Sequence, residues 1–147
     1  MFKHPLLTES RIRQTVERIE RLVHSPRVPI EVAVWAVHGE PVRAERAFKA
    51  KYAPFSVGEM WGSLWDTAWF RFRGEVPKEW KGREVVALVR LTNLGPEGFA
   101  AEGAIYQNER LVRAINFNRR EGEIAGKAKG GERFEFFVEA AANGGTD

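Results

Sequence analysis

The segment WGSLWDTAWFRFRGEVPKEW, residues 61–80, decides the fold of this chain. It holds four of the five tryptophans. Such a cluster is compatible with a sugar-stacking platform, a nucleic-acid surface or the interior of a β-sandwich. Its second half favours the sandwich, because aromatic and basic residues alternate there.

This alternation has the period of a β-strand. In TAWFRFRGEV, residues 67–76, Trp69 and Arg71 fall on one face and Phe70 and Phe72 on the other. Pro77 ends the predicted strand. We interpret Trp69 as a core residue, because a large aromatic side chain hides about 150–250 Å² when it is buried.

Alternating or β-branched runs recur along the rest of the chain. The predicted strands cover residues 30–37, 67–76, 84–91, 99–106, 110–117 and 133–141. Residues 107–109 predict a hairpin turn, since Asn108 tolerates a positive φ. Turn signals about 8–12 residues apart, with little helix after Ser25, are typical of an all-β sandwich.

One amphipathic helix precedes the strands, predicted from Thr8 to Ser25 with Thr8 or Ser10 as N-cap. Its apolar stripe, spaced by four, three and four residues, consists of Ile12, Val16, Ile19 and Val23. We expect this stripe to dock on the β-domain that follows. The predicted organisation is a helix and arm over residues 1–29 and a β-sandwich domain over 30–147, together one structural unit.

Composition narrows the function classes. The chain of 147 residues carries a formal charge of +3, but its basic residues are interleaved with glutamates, which argues against a nucleic-acid partner. It has no cysteine, no apolar run of membrane-spanning length and no signal-peptide pattern, so we expect a cytoplasmic protein without a membrane partner. His4, His24 and His38 lie in no ligand spacing, so no metal site is predicted.

The candidate site residues are aromatic and polar residues in predicted loops. Trp61 and Trp65 are equally compatible with core packing and with a sugar or interdomain contact. Asp66 is either an acid of raised pKa or a turn residue that binds backbone N–H groups. Asn118 and Arg119 either bind a ligand or stabilise a bend. No residue is predicted to be catalytic, because no carboxylate or nucleophile has a visible partner.

Three ordered motifs give the chain a family resemblance. The first, W-G-x-x-W-x-T-x-W-F-R, covers residues 61–71, and the second, G-E-V-P-x-E-W-x-G-R, covers 74–83. The third begins at K-G-G-E, residues 129–132, and ends at Asn143. With the leading helix, they resemble the N-terminal β-domain of cytoplasmic-type α-mannosidases of glycoside hydrolase family 38. The family usually has a small residue at the position of Asp66, and residues 94–120 match weakly.

The resemblance implies a jelly-roll or galactose-binding-like sandwich without catalytic residues. In the family, a following α/β barrel carries the zinc motif and the aspartate nucleophile of a retaining glycosidase. The chain contains neither, so zinc is implied only for the missing catalytic domain. Its expected roles are interdomain packing against that domain or self-association. The alternative is a free-standing carbohydrate-binding module.

Overall fold

The computed structural model describes residues 4–92 and 101–143. Two helices and eight strands run in the order α1 (Pro5–Val23), β1 (Glu31–Val37), α2 (Ala44–Phe48), β2 (Ala53–Pro54), β3 (Thr67–Glu75), β4 (Val85–Leu88), β5 (Glu102–Gln107), β6 (Arg110–Ile115), β7 (Glu121–Ala125) and β8 (Arg133–Ala141). A single 3₁₀ turn, Lys78–Trp80, lies between β3 and β4. The mainly β prediction is confirmed.

Six strands form one antiparallel sheet in the order β2-β1-β3-β8-β5-β6. The longest pairing joins β3 to β8, from Thr67 opposite Ala141 to Glu75 opposite Arg133. In this register Phe70 lies opposite Val138, and Phe72 opposite Phe136. Because side chains alternate along each strand, these four side chains share one face of the sheet, which we call the inner face.

The remaining strands, β4 and β7, pair antiparallel and form a second sheet of two strands. Its residues Ala87 and Ile124, with Val89 just beyond β4, pack against the inner face. Within that core, Phe72 and Phe136 stack at a ring-centroid distance of 4.8 Å. Two facing antiparallel sheets with an apolar interior make this a β-sandwich, as the sequence predicts.

The opposite, outer face of the six-stranded sheet is covered by α2 and the segment that follows it. Trp69 is fully buried here, as expected, and meets the ring of Phe48 edge-on at 5.9 Å. Ala47 of α2 is also fully buried, and the Tyr52 hydroxyl donates to its backbone oxygen at 3.0 Å. The short helix α2 and the segment after it therefore cover Trp69 on this face.

The two glycines of the K-G-G-E motif close the sandwich beside the 3₁₀ turn. The Gly131 N–H donates to the Val76 oxygen at 2.7 Å. Gly130 has a φ of +83°, and a Cβ there would lie 2.6 Å from the Lys78 oxygen. A side chain at this position would collide with backbone, so the motif requires glycine.

The structure corrects two expectations about α1. The helix begins at Pro5 with His4 as N-cap, and the Thr8 hydroxyl donates back to the His4 oxygen at 3.0 Å. Thr8 and Ser10 are therefore inside the helix, because proline favours its first position. The stripe does not dock on the β-domain either, since no residue of α1 is buried. Periodicity identifies an apolar face but not the surface that covers it.

The strand boundaries follow the sequence with several differences. The strand predicted for residues 84–91 is limited to Val85–Leu88. Strands β2 and β7 lie in stretches for which the sequence predicts no strand. The hairpin of β5 and β6 is confirmed, with positive φ at Asn108 and Glu109, whereas its predicted first residues, 99–100, lie outside the described residues. No helix in the described ranges is long and apolar enough to cross a membrane.

Candidate functional site

An open apolar cleft results from the unequal widths of the two sheets. The two-stranded sheet covers only part of the inner face, and a cleft of about 1190 Å³ lies over the rest. Its floor consists of apolar side chains of β1, β3 and β8 and of the residue just before β1. They are Ile30, Val32, Phe70, Phe72 and Phe134. All four residues of β4 line the cleft. Strand β4 pairs with β7 on one side, and no other strand of the described chain pairs with it on the other side.

The segment between β2 and β3 forms one wall of the cleft and exposes apolar side chains. Val57, Met60 and Leu64 line the cleft, yet Val57 is 88% and Met60 87% exposed. We call residues 55–66 the apolar loop. Exposed apolar side chains that adjoin an apolar cleft form a contiguous patch of the kind found at interaction sites.

Trp61 fixes this loop to the sandwich. Its indole Nε1 donates to the Leu91 backbone oxygen at 2.8 Å, and its ring meets Phe70 edge-on at 5.3 Å. The side chain is half-buried and lines the cleft. Trp61 is therefore a core contact that also forms part of the cleft surface.

Trp65 and Asp66 form a turn at the end of the loop. Trp65 has a φ of +69° and is 73% exposed, and its N–H donates to the Ala142 oxygen at 2.7 Å. The Asp66 carboxylate accepts from the Ser63 N–H at 2.7 Å, and the Asp66 oxygen accepts from the Ala142 N–H at 2.9 Å. The carboxylate thus stabilises the turn that presents Trp65.

Asn118 and Arg119 lie elsewhere, in the exposed turn between β6 and β7. Both backbone N–H groups donate to the Asn116 side-chain oxygen at 3.0 Å. Asn116 and Arg119 also exchange backbone hydrogen bonds. Among the candidate site residues, Trp61 lines the cleft, whereas Trp65, Asp66, Asn118 and Arg119 do not. Trp65 and Asp66 share the apolar loop with Trp61, and Asn118 and Arg119 lie apart from it.

The titratable groups on the outer face have perturbed pKa values. Burial raises the pKa of Glu139, although the Tyr106 hydroxyl donates to its carboxylate at 3.3 Å and opposes the shift. Burial and the charge of Glu139 raise the pKa of Tyr106, and burial also raises that of Tyr52. These groups lie beside Trp69, in the part of the outer face that α2 covers.

The described residues do not fit a zinc site. No group of three or more His, Asp or Glu side chains in residues 4–92 and 101–143 is placed to hold a metal ion. A tetrahedral zinc centre needs three or four such ligands. Zinc chemistry therefore cannot be assigned to the residues described.

The sequence reasoning missed the cleft and three residues of its wall. Val57, Met60 and Leu64 are apolar residues in a segment with glycines and no strand alternation. That combination predicts a loop with an exposed apolar surface, so these three residues could have been identified from the sequence. The width of the cleft could not be predicted in this way, because it depends on how many strands each sheet contains.

Fold and site together define a class: a β-sandwich domain with an open apolar cleft bordered by an exposed apolar loop. The family model described as "Alpha-mannosidase, jelly roll domain" matches residues 28–147, and the chain belongs to this family. The chain is also 26% identical to "Alpha-mannosidase G" of Dictyostelium discoideum. That alignment covers 71% of this chain and 9% of the relative, so the chain spans a small part of the relative's length.

Proposed function

We propose that this chain is the non-catalytic N-terminal domain of a family 38 α-mannosidase. Its open side, the cleft with the apolar loop, packs against the catalytic part of the enzyme. The complete enzyme would hydrolyse α-mannosides in the cytoplasm. Zinc and the retaining displacement would belong to the catalytic part, because the described residues supply no ligand set for a metal. Self-association through the same open side is the other way to cover it.

The observation that carries the proposal is the cleft with its apolar wall. A β-sandwich normally covers both inner faces, since each is apolar. Here the cleft leaves Ile30, Val32 and Phe134 of the inner face only half-buried, whereas Phe70 and Phe72 beneath them are buried. Removing such a surface from water contributes roughly 25 cal/mol for each Å² of apolar area, from which the entropic cost of association is subtracted.

The position of the apolar loop supports a partner within the same enzyme. Ala142, which follows β8, hydrogen-bonds to both Trp65 and Asp66. Ala142 and Asn143 also line the cleft beside Trp61. A polypeptide that continues after residue 143 would thus emerge next to the exposed side chains of the loop and could cover them.

Capture of the native product from its host tests this proposal. An antibody to this chain should recover activity on an aryl α-mannoside that is lost with a zinc chelator. Met60→Asp should reduce the recovered activity relative to wild type, because it places a charge on the docking wall. Met60 is 87% exposed, so the substitution should not unfold the domain.

Leu111→Asp is the matched control, since Leu111 is also exposed, at 61%, but lies on the edge strand β6. It should leave the recovered activity unchanged. Captured material of 16.7 kDa without α-mannosidase activity would contradict the proposal.

The second candidate function is a free-standing carbohydrate-binding module. What favours it is the exposed indole of Trp65, because a sugar ring can stack on an indole face that is open to solvent. Titration with α-mannosides should then quench tryptophan fluorescence, and Trp65→Ala should abolish the quenching. Absence of any sugar-dependent change in the wild-type chain would eliminate this candidate.

A further inference from the structure

Helix α1 carries an apolar surface that the rest of the described chain does not cover. Its stripe residues Ile12, Val16, Ile19 and Val23 are between 47% and 62% exposed, and no residue of the helix is buried. The helix also lies outside residues 28–147, which the family model matches. A function for α1 must therefore be sought apart from the packing of the jelly-roll domain.

The C-terminal end of α1 is attached to the sandwich. The His24 Nε2 lies 2.8 Å from a carboxylate oxygen of Glu121 at the start of β7. The Arg27 Nε–H donates to the His24 backbone oxygen at 2.6 Å. These contacts fix the point where the helix leaves the domain, and the 19 residues beyond that point remain accessible.

The spacing of the stripe is that of a coiled-coil seam. Steps of four, three and four residues place Ile12 and Ile19 at heptad position d, and Val16 and Val23 at position a. In an antiparallel pair of identical helices, Ile12 faces Val23 of the second helix and Val16 faces Ile19. Every layer then combines one isoleucine with one valine, so the layers have equal volume.

The flanking charges distinguish the two possible orientations. Arg13 and Glu20 both occupy position e, whereas position g holds the uncharged Thr15 and Leu22. Antiparallel pairing brings e toward e of the partner, so Arg13 approaches Glu20 twice by symmetry. Parallel pairing brings e toward g and forms no such ion pair. Charges at e and g set the orientation of paired helices.

We propose that α1 is a dimerisation element that pairs antiparallel with α1 of a second copy of this chain. The pair has twofold symmetry, and each stripe covers the other. A helix of 19 residues is about 28 Å long at 1.5 Å per residue. Such a pair is smaller than the standard interface of about 800 Å² per partner, so a weak dimer is expected. The proposal is independent of the α-mannosidase assignment.

Sedimentation velocity of the whole chain, at about 5–500 µM, tests this pairing in the range of weak association. The mass should rise with concentration from 16.7 kDa toward twice that value. Ile19→Glu should raise the dissociation constant at least about tenfold, because it places an unpaired charge in an apolar layer. Gln14→Glu is the matched control, since residue 14 lies at position f, away from the seam.

Charge reversal tests the orientation. Arg13→Glu and Glu20→Arg should each weaken the dimer, and the double variant should restore it, because both ion pairs re-form with their signs exchanged. Unchanged tryptophan fluorescence would show that the sandwich is intact in every variant. A wild-type chain that stays monomeric at all concentrations overturns the proposal, and so does a double variant that associates no better than the single ones.

Discussion

The two faces of the six-stranded sheet carry similar apolar side chains but are covered to different extents. On the outer face, five residues of α2 and the segment after it enclose Trp69 completely. On the inner face, the sheet of β4 and β7 covers Ile105 and Phe136 but leaves a cleft of about 1190 Å³ beside the half-buried Ile30 and Phe134. A short helix thus seals one side more fully than a second sheet seals the other.

This difference indicates that the outer face contributes mainly to stability, whereas part of the inner face is suited to interaction. The outer face is closed around Trp69, so the residues there should contribute mainly to the free energy of unfolding. The inner face is complete only where β4 and β7 lie, and the remainder is contiguous with the apolar loop. The effects of substitutions on the two faces should therefore differ in size, and four predictions test that difference.

The largest effect is expected at Trp69 on the sealed face. Trp69→Ala should lower the free energy of unfolding by about 3–5 kcal/mol, because it leaves a large cavity that the surroundings cannot fill. Trp69→Phe should cost less, since a ring remains and the indole N–H has no hydrogen-bond partner among the described residues. Urea denaturation of the three proteins, followed by circular dichroism, measures both losses.

Phe55→Ala is the matched substitution on the open face. Phe55 is half-buried, meets Phe70 edge-on at 5.4 Å and borders the cleft. Water can occupy the space that the ring leaves, so the loss should be roughly half that of Trp69→Ala or less. Equal losses at Trp69 and Phe55 would mean that the cleft is as well sealed in solution as the outer face.

Much of this architecture follows from alternation in the sequence. The run from Thr67 to Val76 assigns Trp69 to one face and Phe70 to the other, and the structure places both as predicted. Residues 133–141 give the same result for Phe136 and Phe137. Strand β7 could not be recognised, because its residues Glu121–Ala125 contain one large apolar side chain.

An intermediate effect is expected in the apolar loop. Trp61→Ala should cost about 1–3 kcal/mol, because it removes a ring contact and the hydrogen bond to the Leu91 oxygen. Trp65→Ala should change the free energy of unfolding by no more than about 0.5 kcal/mol, since its side chain is 73% exposed. Thermal unfolding of both variants provides the comparison. A large loss at Trp65 would show that its indole is covered in solution.

The candidate site was only partly predictable, for a physical reason. The tryptophan spacing identifies the loop, but it does not show that Trp61 is anchored and Trp65 exposed, because the Leu91 and Ala142 oxygens that hold them are distant in sequence. The cleft depends on the pairing partners of β4, which are also non-local. For α1 the stripe was correctly predicted, whereas its docking on the β-domain was not.

The smallest effect is expected on the pH dependence of the sealed face. Burial raises the pKa of Glu139, so the folded state retains this proton to higher pH than the unfolded state. The stabilising contribution is complete below the ordinary glutamate pKa of about 4.3 and is lost as the pH rises through the raised value. Glu139→Gln should therefore be slightly more stable than wild type at pH 7, by about 0.5 kcal/mol or less because the carboxylate is partly exposed. This advantage should decrease toward pH 4 in urea titrations. An advantage that stays constant with pH would mean that the Glu139 carboxylate is fully hydrated and that α2 leaves the outer face open beside it.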